Sequence, residues 1–372
     1  MEGHNVRDGW LCPERVFDGE CLRTGVSLRV EQGCVVEIAE SGAQGRVVKG
    51  CLSPGFVDLQ VNGGGGVLLN TDPTLHGMAA IAAAHRQFGT AAIMPTVITD
   101  TPEVLDMATD TAISAFGQSG IMGLHIEGPH IALAKRGTHA AKYIRPLDTR
   151  TMDVVHRLRH AGVPVMITVA PEAATPEQIS KLTALGAVVS LGHTNASAEQ
   201  MNAAIAAGAR CGTHLYNAMS PMQGREPGAV GAILNAGIPF GIICDGHHVD
   251  DAMIGLALRA TKPNCAFLVS DAMATVGGPS AFDLYGQTIR VDGGRLINSD
   301  GNLAGAHITQ AQGVQRLVNH VGVPLEQALR MAIRVPSLVM GLPTFATLEG
   351  RRAEDLIVIG DDVSVNADLR GL

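Results

Sequence analysis

The chain has 372 residues, of which 46% are hydrophobic and 17% charged, a balance that excludes a disordered polypeptide. Its formal charge of −8 offers no overall attraction for a polyanion or an anionic bilayer surface, and its 3% aromatic content supplies little for base stacking. Neither nucleic acid nor a membrane is an expected partner, and an anionic ligand must be captured by a few local cations.

The opening MEGHNVRDGW carries neither a basic nor an apolar leader segment, and no run of about 18 apolar residues follows to span a bilayer. The seven cysteines lack a CxxC pair, so they read as reduced thiols of a cytoplasmic protein, not as a disulfide framework or a thiolate zinc site. Residues 1–50 hold short β-rich runs, Val26–Val30, Cys34–Ile38 and Arg46–Lys49, separated by glycine-containing turns. Asp355–Ile359 reads as one more strand near the other end. Both termini are therefore expected to build one small β-domain, 1–51 with 343–372, beside a catalytic domain over 52–342.

The middle of the chain alternates. Strands are expected at Phe56–Val61, Ala91–Thr96, Ile121–Ile126, Val165–Val169, Ala187–Leu191, Arg210–Thr213, Phe240–Cys244 and Ala266–Ser270. Between many of them lie alanine-rich helical patterns, such as Leu75–Phe88, Glu103–Phe116, Pro176–Ala184 and Ala198–Ala207. Eight strands with intervening helices match a (β/α)₈ barrel; a doubly wound open sheet is the alternative. After the eighth strand Phe282–Asn302 reads as a hairpin excursion, followed by helices around Thr309–His320 and Leu325–Arg334.

Polar residues gather where these strands end. Gln60 and Asn62 end the first, Glu127 the third, His193 follows the fifth, His214 the sixth, His248 the seventh and Asp271 the eighth. In a (β/α)₈ barrel those ends ring one mouth, where active sites are built. Glu127, His193 and His214 would suit a tetrahedral divalent ion with its fourth position open to water; zinc is the default, and iron or manganese would accept the same donors. Asp271 reads either as a general base beside that water or as a helix N-cap. NGGGGV lacks the spacing of a phosphate loop and reads as a flexible turn. His125 shares a strand face with Glu127, which suits packing or support of it; His4, His76, His85, His156, His160 and His320 are given no chemistry.

PGFVDLQVNGGGG, GLHIEGPHI, KRGTH, LGHTNA, THLYNAMSPMQGREPG, DGHHV and SDAM, in this order from about Leu52 to Leu342, resemble the N-acetylglucosamine-6-phosphate deacetylases of the amidohydrolase superfamily. The resemblance implies a metal-dependent (β/α)₈ barrel with a small β-sandwich, a homodimer, and hydrolysis of the acetamide of an amino-sugar phosphate. It implies Glu127, His193 and His214 as ligands, Asp271 as acid/base and His139 as the oxyanion donor. For sugar and phosphate it implies Asn217, Ala218, His248 and Arg225, the arginine reaching across from a neighbouring subunit. The superfamily's first strand commonly ends in HxH; here Gln60 and Asn62 stand instead, so they read as vestigial positions and the site as holding one ion per subunit. Rival readings are an N-acetylgalactosamine-6-phosphate deacetylase, a cyclic amidase and a non-catalytic sugar-phosphate-binding barrel.

Overall fold

Residues 7–40, 44–118, 120–298, 301 and 303–369 are described by a computed structural model; His4 and Asn302 lie outside this set. Eight parallel strands form the centre: β1 Phe56–Val61, β2 Thr90–Ile98, β3 Leu124–Glu127, β4 Val165–Val169, β5 Val188–Leu191, β6 Cys211–Gly212, β7 Phe240–Ile242 and β8 Ala266–Leu268. Each pairs with the next along the chain. The ring closes just beyond the strand ends, where Val61 bridges Ala272 in parallel and Asp271 N–H donates to Gln60 O at 3.0 Å. This is the expected (β/α)₈ architecture, and the open sheet is set aside.

The strands are buried on both faces, which explains why they read as near-continuous apolar runs. Helices return the chain between them: α1 Leu75–Arg86, α2 Pro102–Ala115, α3 Thr149–His160, α4 Pro176–Ala184, α5 Ala198–Ala206, α6 Gly228–Ala236, α7 Asp251–Ala260 and α8 Gln310–Arg316. Their starts are set locally. Thr175 and Gln178 form a reciprocal capping box with Pro176 at the first turn of α4, and Ser197 with Gln200 does the same for α5. The outward faces of β1, β3, β4 and β5 pack against these helices in one continuous core that includes Phe56, Ile126, Ile167 and Leu191.

Beyond β8 the chain forms not one hairpin but a four-stranded antiparallel sheet, Ala281–Leu284, Gln287–Asp292, Arg295–Ile297 and Leu303–Ala306. The terminal sheet is assembled from both ends of the sequence. Its order runs Val365–Asn366, Leu356–Ile359, Arg46–Pro54, Gly9–Phe17, Val26–Glu31, Cys34–Glu40. Leu11, Val16, Leu28 and Leu52 share its core with Leu348, Leu356 and Leu369. The Gly9–Phe17 strand adds to the β-rich runs read from the sequence; Pro13 lies within it, and the register slips between Pro13 and Arg15, where a bulge accommodates it. We retain 1–51 with 343–372, and 52–342, as the proposed division; strand Arg46–Pro54 crosses it and runs through Gly55 into β1.

Candidate active site

Three side chains from three strand ends meet on one point. Glu127 Oε1 lies 3.3 Å from His193 Nε2 and 3.1 Å from His214 Nε2, and the two nitrogens are 3.1 Å apart. A tetrahedral ion bonded at about 2.0–2.1 Å has ligand–ligand edges of roughly 3.3–3.4 Å, so this triangle fits a zinc-sized divalent ion. His193 Nδ1 is 2.9 Å from Lys135 O, so it donates there and leaves the Nε2 lone pair facing the centre. Two imidazole nitrogens turned toward each other beside a carboxylate are hard to satisfy without a cation between them. Burial pushes the Glu127 carboxyl up, but the neighbouring His193 and His214 outweigh it and hold Glu127 well below the usual range, hence anionic. His139 also brings a ring nitrogen within 4.8 Å of the Glu127 and His193 donors. Glu127 with two histidines is therefore a candidate metal site whichever imidazole is third; the tight triangle favours His214.

His139 has a different environment. Its Nδ1 is 2.7 Å from the Thr99 hydroxyl, and its ring is tilted against His193 at 4.5 Å between centroids. Gly128, at φ +84°, makes that contact feasible: a β-carbon there would stand 2.2 Å from Thr99 Oγ1. Burial, followed by the neighbouring His193, lowers His139 to about 3, so it is neutral in the fold.

Asp271 lines the same cleft and caps no helix. Its Oδ1 accepts from Asn62 Nδ2 at 2.7 Å and from Gln60 Nε2 at 3.1 Å; Gln60 Nε2 also donates to Glu127 Oε1 at 2.8 Å. Burial, with the negative charge of Glu127 added to it, raises Asp271 to about 6. Further along the cleft lie Asn217, Ala218 and His248. His248 Nδ1 is 2.6 Å from Asp245 Oδ2, and Asp245 Oδ1 accepts the N–H groups of His247 and His248. Arg225 is exposed on the 221–227 loop and does not line the cleft of its own chain.

The Amidohydrolase family profile matches residues 51–372, well over half of the chain. The chain belongs to the amidohydrolase family. This amidohydrolase is 40% identical over 326 residues to the N-acetylgalactosamine-6-phosphate deacetylase of Shewanella sp. (strain ANA-3), covering 87% of this chain and 82% of that one. It is 33% identical over 297 residues to the N-acetylglucosamine-6-phosphate deacetylase of Haemophilus influenzae, covering 78% and 77%. The solved N-acetylglucosamine-6-phosphate deacetylase of Pasteurella multocida superposes with a TM-score of 0.88 at 31% identity over 96% of both chains. That of Mycobacterium smegmatis, an aspartate-to-alanine mutant in complex with N-acetyl-D-glucosamine-6-phosphate, gives 0.87 at 31% identity, again over 96% of both.

Several parts of the amidohydrolase site escaped sequence reasoning. Thr99 and the Lys135 carbonyl act through a histidine on another loop, and spacing along the chain carries no sign of that; Asp245 acts through His248, three residues on within the same DGHHV stretch. Met273, Leu303 and Gly305 reach the cleft from the segment after β8, which the four-stranded sheet folds over it. His193, His214, Ala218 and Asp271 all have left-handed backbone, at φ +48°, +25°, +50° and +50°. Such conformations cost on the order of 1–3 kcal/mol each for residues other than glycine and concentrate where side chains must be aimed.

Below this rim runs a buried hydroxyl layer. His125 Nε2 is 2.8 Å from Thr168 Oγ1, Thr168 is 2.8 Å from Thr213, and Thr213 is 2.6 Å from Ser190. His125 Nδ1 lies 3.0 Å from Leu59 O. His125 is thus a tied-down support one layer under Glu127.

Proposed function

We propose that this amidohydrolase removes the acetyl group from N-acetyl-D-glucosamine 6-phosphate, giving D-glucosamine 6-phosphate and acetate. The observation that carries the reading is the convergence of Glu127, His193 and His214 on one point with Asp271 and His139 on the same cleft. Glu127, His193 and His214 would hold one divalent ion, zinc by the donor set. The ion would supply Lewis acidity, polarising the acetamide carbonyl and lowering the pKa of water.

The remaining work falls to the chain's own groups. Asp271, ionised, takes the proton of the attacking water. It then delivers that proton to the departing nitrogen, because a free amide anion is too basic to leave. Thr99 donating to His139 Nδ1 leaves the proton on Nε2, where a neutral imidazole serves as a fixed donor to the developing oxyanion. Asp245 orients His248 toward the cleft, and His248, Asn217 and the Ala218 backbone hold the sugar phosphate. Arg225, exposed in its own chain, serves the neighbouring site of a homodimer.

A second reading has a specific observation behind it: the 40% identity to an N-acetylgalactosamine-6-phosphate deacetylase. The two substrates differ in the configuration of one hydroxyl. Acetate release from both 6-phosphates, measured side by side with metal content, tests the two. Faster turnover of the gluco compound is expected; faster turnover of the galacto compound would install the second reading, and no acetate from either would remove both.

A further inference from the structure

The reaction as drawn leaves Gln60 and Asn62 without a task, yet both are buried, at 1% and 3% exposure, against the two carboxylates of the site. We infer that they are positioning residues: an amide bracket that fixes which oxygen of Asp271 exchanges the proton. The inference rests on the reading of Asp271 as proton carrier.

Three contacts carry it. Asn62 Nδ2 and Gln60 Nε2 both end on Asp271 Oδ1, at 2.7 and 3.1 Å, and Gln60 Nε2 also reaches Glu127 Oε1 at 2.8 Å. An ionised carboxylate only accepts, so each amide must turn its nitrogen this way. Oδ1 is thereby filled with two N–H donors, and a proton placed on it would point at them. Oδ2 has no hydrogen-bond partner among the described residues, and Asp271 lines the cleft. Proton uptake and release therefore occur at Oδ2, on the side where substrate sits. The charged and titratable groups around Asp271 are Glu127, His214 and His248, and none of them hydrogen-bonds its carboxylate.

A merely space-filling role does not account for Asn62. Its Oδ1 is buried without a partner, an arrangement that an apolar side chain of the same size would avoid. The bracket is also made by barrel closure. Asn62 and Gly63 N–H donate to Ala272 O, each at 2.9 Å, and Asp271 N–H donates to Gln60 O, so the first and last strands meet in the one register that brings these side chains together.

The test is a double-mutant cycle read on kcat, KM and bound metal, using whichever hexosamine 6-phosphate the wild type turns over. Asn62→Leu, nearly isosteric but without the N–H, is expected to lower kcat about 10–100-fold, with KM and metal content held within about two-fold. In an Asp271→Asn background the same change should cost less than about two-fold, because the group it acts through is gone. Gln60→Leu should lower kcat and also weaken metal retention, since Gln60 touches Glu127. Asn62→Asp keeps the volume and turns a donor into an acceptor, so it covers a leucine variant that does not fold; a loss of kcat of at least about 10-fold is expected. Unchanged kcat in either Asn62 variant, an equal loss in both backgrounds, or metal lost in step with rate in the Asn62 variants would overturn the bracket alone. A wild type that turns over no hexosamine phosphate would overturn the functional reading and the bracket with it.

Discussion

In the proposed reaction Asp271 is ionised when water attacks and protonated when the amine leaves, and its surroundings set that balance. Burial and the charge of Glu127 bring the carboxyl up to about 6. The base form is the active one in the free enzyme, so kcat/KM should fall as pH drops through this value; a bound divalent cation, adding positive charge, moves the limb lower. Asp271→Asn should cut kcat by at least about 10²–10⁴-fold and abolish that acidic limb. Metal content should persist, because Glu127, His193 and His214 are the proposed donors. Kinetics and elemental analysis on one preparation check this; loss of the metal would recast Asp271 as a ligand. The rim positions of Glu127, His193, His214 and Asp271 were legible because each ends its own strand or follows it within a few residues. Thr99 was not, since it matters only through His139 on another segment; Asp245 lies in the DGHHV stretch, but its bond to His248 three residues on is a matter of side-chain geometry. Gln60 and Asn62 read as absences because sequence shows which residue type is missing, not what the replacement touches.

At the scale of elements, α1 is tied to the glycine turn after β1. His85, on α1, is buried with Nε2 2.9 Å from Gly63 O. Burial lowers its pKa to about 4, against about 6.5 for an exposed histidine. Its folded value lies below its unfolded one, so the stability it contributes is complete above about pH 6.5 and is lost as pH falls through about 4. The shift corresponds to about 3 kcal/mol over that window. His85→Gln should therefore lose about that much less stability than the wild type between pH 7 and pH 4. Urea unfolding of both proteins across the range measures it, and parallel curves would refute it. Through this bond His85 ties α1 to the turn that follows β1. Elements were readable where apolar runs met turn residues, as in β1, β4 and α4. α6, GAVGAILNA, is buried on nearly every side and starts without a side-chain cap, so it offers neither periodicity nor a start signal. The sheet after β8 was underestimated because its strands are only three to six residues long and mostly solvent-facing.

At the scale of the whole molecule, Arg225 is the expected link between subunits. If it completes the neighbour's site, mixing Arg225→Ala chains with Asp271→Asn chains should, at phosphorylated substrate well below KM, give more activity than the two unmixed proteins together. In a randomly mixed homodimer half the molecules are hybrids with one competent site each, so recovery should reach about a quarter of the wild-type level. Unmixed Arg225→Ala protein should show its loss mainly in KM for the phosphorylated sugar, by about 10-fold or more. No recovery on mixing would confine Arg225 to its own chain.

The terminal sheet has a temporal side. Strand Arg46–Pro54 pairs Cys51, Leu52, Ser53 and Pro54 with Leu356–Ile359, which the ribosome adds roughly 300 residues later. At about 5–20 residues per second, that edge waits some 15–60 s for its neighbour. Gly9–Phe17, Val26–Glu31 and Cys34–Glu40 can cover its other side early, so the nascent chain carries a half-built sheet with one open margin throughout barrel synthesis. Leu52 and Val48 in that margin are apolar, and such a margin invites pairing with a second nascent chain. Production of this protein should therefore be more sensitive to translation speed and chaperone supply than its finished fold would suggest.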